Sequence, residues 1–149
     1  MVVPGATKLE RLFKHVVSLD LDKSDIRRYE DFIIHEIEGL LIRGQAIANA
    51  NDRDVIEPHD LPITKGLQEA INDFRKIDPR EDVKLIIAPL AIRSPPDVAL
   101  SDETVAFLPE VAGSLSVAIA RLFKIIEPEL KNPQTRHWEQ ARQIFDLLL

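Results

Sequence analysis

The chain has no cysteine, only five glycines, one tryptophan and one tyrosine in 149 residues, and no surplus of positive charge. Without cysteine there are no disulfides, no thiolate catalysis and no cysteine-ligated zinc, and a reducing cytoplasm is the expected setting. Aromatic residues at 5% and scarce glycine argue against a many-stranded sheet. Gly5, Gly39, Gly44, Gly66 and Gly113 are isolated from one another, so the chain has no glycine-rich phosphate loop. Lys and Arg number 19 against 25 Asp and Glu, a formal charge of −6, which opposes a nonspecific grip on nucleic acid. Met1 to Thr7 lacks the basic start and apolar core of a secretory signal, and the composition suggests no run that would span a bilayer.

What is present suits a soluble globular body: 45% apolar and 30% charged residues, in a length that makes one domain or two small ones. Leu9, Leu12, Phe13, Val16 and Val17 fall on one side of a short helix from Lys8 to Val17. Ser24 as N-cap and Asp25 in the first turn then open a long helix to about Asn51, carrying Ile26, Tyr29, Ile33, Ile37, Leu40, Gly44 and Ile47 on one stripe. At 1.5 Å per residue that helix spans roughly 42 Å and needs something long to lie against. Ile63, Leu67, Ile71, Phe74 and Ile77 mark a third helix, with Pro58 and Pro62 at its entrance.

Asp78-Pro79 is a stop and restart, and the pattern short, long, short repeats after it. Val83, Ile86, Ile87 and Leu90 make a short helix, which Ser94 to Val98 breaks. Ser101 caps a long helix to about Glu129, striped by Val105, Leu108, Ala112, Leu115, Ile119, Leu122 and Ile126. Val111 to Ala120 holds no charge, so this should be the more buried long helix, and Pro109 predicts a kink or a late start. Trp138, Ala141, Phe145 and Leu148 define a closing helix. The expected division is 1–78 and 79–149. Gly44 and Gly113 are expected where helices cross closely.

Between the first long helix and the third, Arg53 and Asp60 are seven residues apart, across Val55-Ile56 and before Leu61-Pro62. An arginine leaving a loop can reach back to such a carboxylate and clamp the connection. That stretch, with Leu19 to Asp25 and Lys131 to Thr135, resembles the single-chain histone-fold pairs of bacteria, a family of unknown function, over nearly the whole chain. The resemblance implies an all-α histone fold: two helix, loop, long helix, loop, helix halves paired within one chain, their long helices crossing near their midpoints. It also implies short parallel bridges, Asp20 to Asp22 with the region of Pro133 and Val55-Ile56 with Val98.

DNA-binding relatives offer a first-loop arginine to the minor groove, where this chain has Asp20 and Asp97, and a basic residue after the clamp arginine, where it has Asp54. The stretch Leu130 to Glu139 has only Lys131 and Arg136, at other spacings, so the second half lacks an evident clamp. Lys8, Arg11, Lys14, Lys23, Arg27 and Arg28 gather at the front and are the candidates for phosphate contact, interleaved with Glu10, Asp20, Asp22 and Asp25.

No enzymatic constellation stands out. His35-Glu36 has no second histidine four residues on, and His15, His59 and His137 add no set with ligand spacing, so neither metal nor cofactor is expected. The histidines should be solvated or capping residues. Ser114 and Ser116 lie in the apolar helix without a local histidine base and are expected to bond back to the preceding turn. The expected function is a protein-interaction or scaffold module, binding a protein partner or itself. An architectural DNA-binding role is the alternative, disfavoured by acidic charge.

Overall fold

The structure, a computed structural model, describes Phe13, residues 19–77 and residues 98–149. Except for Phe13, which is helical and buried, the expected first helix lies outside these residues. So do the Asp78-Pro79 boundary, the helix expected from Val83 to Leu90 and the break from Ser94 to Asp97. The described residues are mostly helical, with α1 at Lys23–Ala50, α2 at Lys65–Arg75, α3 at Asp102–Ile126 and α4 at Thr135–Leu148. Two-residue strands, β1 at Val55–Ile56 and β2 at Ala99–Leu100, and a 3-10 turn at Pro58–Asp60 complete the order.

The expected boundaries shift where capping chemistry decides them. Helix α1 is capped by Asp22 rather than Ser24: the Asp22 carboxylate accepts from the Asp25 amide at 2.9 Å, and the Asp25 carboxylate accepts from the Asp22 amide at 2.9 Å. Two amides that lack helical partners are thereby satisfied at once, and Ser24 donates its hydroxyl to Asp22 instead. Thr64 caps α2, and Pro58 opens the separate 3-10 turn rather than the helix. Ser101 caps α3 as expected, but the helix stops at Ile126. Pro128 explains the early stop, because a residue before proline is driven out of the helical region, and Glu127 sits at φ −149° and ψ 88°. Pro109 causes no late start, since α3 begins ahead of it at Asp102.

Every residue from Val111 to Val117 is buried, whereas Val105 and Ile126, expected on the apolar stripe, are 40% and 37% exposed. Contrary to the expectation from composition, α3 is long and apolar enough to cross a membrane, with a mean hydropathy of 1.5. Its cover here is protein. Helix α2 lies along it, with the fully buried Phe74 ring against Gly113. The contact is edged by ion pairs from Arg75 to Glu110 and from Arg121 to Asp73, each 2.7 Å.

Helix α4 lies on α1 in the same manner. Phe145 meets Phe32 edge-to-face at 5.0 Å, and the Trp138 indole donates to the buried Asp25 at 3.0 Å. The long helices are tied by Tyr29 and Ser116 at 2.6 Å, a contact nearer the start of α1 than its middle. Each short closing helix therefore packs on the long helix of the other segment.

The loops follow the same exchange. β1 and β2 pair in parallel, Val55 with Ala99 and Ile56 with Leu100, one residue beyond the expected Val98. At the other end the Asp20 amide donates to the Lys131 carbonyl at 2.7 Å, two residues short of Pro133. Gly44 packs not on a crossing helix but on the loop that follows α1, where a Cβ would lie 3.1 Å from Leu61 and 3.3 Å from Ile56.

Because the front segment's closing helix covers α3 and the back segment's covers α1, residues 1–78 expressed alone should give an aggregate, a molten state or a homodimer. A monomer with a cooperative circular dichroism melt would show that the segment has a core of its own. A pair of glycine substitutions tests the α2–α3 contact. Gly113→Ala drives a methyl into the Phe74 ring and should destabilise by about 1–3 kcal/mol. Gly39→Ala, inside α1 with nothing within 4 Å of its new Cβ, should stabilise by about 1 kcal/mol. Urea unfolding of both variants reads the contrast, and equal effects would mean that Gly113 is not a packing requirement.

Candidate functional site

The connection after α1 is held by a buried ion pair. The chain leaves the helix through Asp52 at φ 59°, a left-handed conformation that aspartate tolerates better than most side chains, and the Arg53 amide donates to the Ala48 carbonyl at 2.9 Å. Two guanidinium nitrogens of Arg53 then meet the two carboxylate oxygens of Asp60 at 2.5 and 2.6 Å, a bidentate contact. Asp60 is wholly buried, at the end of the 3-10 turn rather than in the first turn of α2, and also accepts from the Glu57 amide at 2.8 Å. Hydrogen bonding from Arg53 holds its carboxyl well below the usual carboxylate range.

A different pair occupies the corresponding turn before α4. His137, 1% exposed, accepts from the Gln134 amide at its Nδ1, 2.8 Å away, as Asp60 does from Glu57. Its Nε2 therefore carries the proton, and it faces Glu127 at 3.5 Å. Sequence spacing alone missed this because histidine replaces the acid. Asp25, the capping acid of α1, is raised by burial, an effect partly offset by donation from the Asp22 amide and the Trp138 indole.

Of the candidate phosphate contacts, Lys8, Arg11 and Lys14 lie outside the described residues. Lys23 and Arg27 are exposed one turn apart on α1, and Arg28 is half-buried. Asp20 and Asp54 are exposed on the loops, whereas Asp97 lies outside the described residues. Ser114 bonds back to the Val111 carbonyl at 2.6 Å and Ser116 to that of Ala112 at 2.8 Å, so both hydroxyls are spent on their own helix. Tyr29 in turn donates to Ser116, and burial raises its phenol well above the ordinary value.

The sequence named His35-Glu36 but not the residue that completes the group. His35 and Glu36 on α1 meet Asp146 on α4, distant in the chain, at the rim of a cavity of about 300 Å³ lined also by Gly39, Leu40, Arg43 and Leu149. His35 Nε2 lies 2.9 Å from Asp146 and 4.0 Å from Glu36, while Arg142 donates to His35 Nδ1 at 2.9 Å. Glu36 is 5% exposed and its Oε1 has no hydrogen-bond partner. Burial, with Asp146 beside it, pushes its carboxyl up to about 8. His59 is 73% exposed and His15 lies outside the described residues.

The described residues thus form a mostly helical body with a loop clamp and no nucleophile–base pair among them. Residues 9–146 match the domain of unknown function DUF1931, and the chain belongs to that family. A protein of Thermus thermophilus with a crystal structure is 43% identical, at a TM-score of 0.84 over 96% of this chain and 97% of that one. The crystal structure of protein AQ328 from Aquifex aeolicus is 26% identical, at a TM-score of 0.85 over 97% and 95%. An uncharacterized Aquifex aeolicus protein is 33% identical over 56% of this chain, the match spanning 51% of that relative's length. The family's function is unknown.

Arg53→Ala leaves the buried Asp60 without its cation and should cost more than the ~0.5 kcal/mol of an ordinary surface change. Adding Asp60→Ala should recover part of the loss, and strictly additive effects would mean that the two charges do not act together. The sign with pH follows from a folded carboxyl below its unfolded value. The stability it confers is present above about pH 4 and fades as pH falls toward the folded value. Urea unfolding at neutral and acid pH should show that acid-side loss in the wild type and not in the double variant.

Proposed function

We propose that the chain is a histone-fold pair, its halves 1–78 and 79–149, that works as a protein-interaction or scaffold module rather than as an enzyme. The exchange of closing helices, the parallel β1–β2 pair and the hydrogen bond from Asp20 to Lys131 support the pairing. The observation that carries the interaction role is an apolar groove of about 330 Å³, formed by Leu67, Ala118, Leu122, Ile144 and Leu148. Of its lining, Leu148 is 69% exposed and Ile125 75%, and Leu147 next to it is 84% exposed. Its first occupant is a second copy of the chain. Arg121, the one charged side chain lining it among the described residues, is paired with Asp73, so two chains of −6 can meet there without opposing like charges at the groove.

The alternative is an architectural role on duplex DNA, favoured by the exposed Lys23 and Arg27 on one face of α1. Charge weighs against it. Residues 1–78 hold 11 Lys and Arg against 15 Asp and Glu, and 79–149 hold 8 against 10, so neither half is basic. Exposed Asp20 and Asp54 also stand where related proteins present DNA-facing residues.

Sedimentation velocity across a concentration series should show a dimer that Ile125→Asp abolishes, and a monomer throughout would remove self-association. Random-sequence duplex should bind weakly. With about four phosphate contacts, log K should fall against log salt at a slope near −3.6, roughly a hundredfold between 50 and 200 mM. Submicromolar affinity that survives the higher salt and is lost on charge reversal at Arg27 and Arg28 would make the architectural role primary.

A further inference from the structure

We propose that His35, Glu36 and Asp146 form a binding site for one borderline divalent metal ion, of the zinc, cobalt or nickel type, that bridges α1 and α4. The three side chains offer one imidazole nitrogen and two carboxylate oxygens, all within 4.8 Å of one another, and this mixed set suits those ions. Donors around a tetrahedral zinc are roughly 3.3 Å apart, given bonds of about 2.0–2.1 Å. Separations of 2.9 Å from His35 Nε2 to Asp146 and 4.0 Å from His35 Nε2 to Glu36 bracket that value, so small side-chain rotations close the site.

Glu36 supplies the second, independent observation. Its carboxyl is 5% exposed, lines the cavity and keeps one oxygen without any hydrogen bond, an arrangement that costs free energy unless a ligand meets it. Cation binding there would satisfy that oxygen. Three protein donors leave at least one coordination position for water.

Arg142 opposes the ion and makes the site testable. Its guanidinium can only donate, so its contact at His35 Nδ1 fixes the imidazole proton on Nε2, the atom that the metal needs. On binding, that proton moves to Nδ1, the exposed Arg142 side chain turns to solvent, and Glu36 releases any proton it holds. The ion would join the front segment's long helix to the back segment's closing helix independently of any partner in the apolar groove.

The experiment is titration of chelator-stripped full-length protein with cobalt(II), followed by visible absorption, and with zinc(II), followed by calorimetry and thermal melting. One ion per chain and a raised Tm are expected. His35→Ala and Glu36→Gln should each weaken binding about tenfold or more, and Arg142→Gln should tighten it by about tenfold, with helical circular dichroism confirming the fold. Arg142→Gln keeps all three donor residues, so it tests the site even if a donor variant unfolds. Absence of binding up to about 1 mM metal, or equal affinity in wild type, His35→Ala and Arg142→Gln, would overturn the site.

Discussion

A helix with no charge from Val111 to Ala120 has to be covered on almost every side, and the architecture follows from that demand. One neighbouring helix covers only a stripe, so α3 takes α2 along one face and α1 through the Tyr29–Ser116 contact. Helix α1 has its own apolar stripe, which α4 helps to cover through Phe145 and Trp138. Neither segment contains both members of its main contacts. Burial in this protein is therefore a property of the pair of segments, and the loops are bridged only where that packing brings their ends together.

Much of this could be read from residue order. The apolar recurrences placed both long helices to within a few residues, because a stripe sustained over about six or seven turns outweighs local ambiguity. Arg53 and Asp60 were legible because clamp and carboxylate lie in one connection. Cap choice was less so, since Asp22 and Ser24 are both good caps and the reciprocal bond from Asp25 decides between them. The register of β1 and β2 slipped by one residue, because two-residue strands carry no alternating pattern to fix it. His35-Glu36 was visible but lacked a second local ligand, since Asp146 comes from a helix at the opposite end of the described chain and meets the pair only after packing.

Two side-chain contacts between the segments near the loops differ in chemistry. Asp25 is held by a tryptophan indole from α4, whereas Thr104 at the start of α3 donates to the Ile56 carbonyl at 2.7 Å. Likewise the turn before α2 closes on an aspartate gripped by arginine, and the turn before α4 on a histidine facing a glutamate. Each satisfies a buried backbone group, so packing constrains the position and leaves the residue type open.

That divergence depends on covalent linkage. If the two segments were separate chains, each would find its partner by diffusion, two identical copies would compete with the mixed pair, and dilution would dissociate them. On one chain the partner is held at a high effective concentration, in a fixed one-to-one ratio. Subunit exchange is closed off, and identical surfaces on the two sides are no longer imposed by symmetry. The cluster of His35, Glu36 and Asp146 accordingly needs no symmetry mate, and it gives the molecule a distinguishable end.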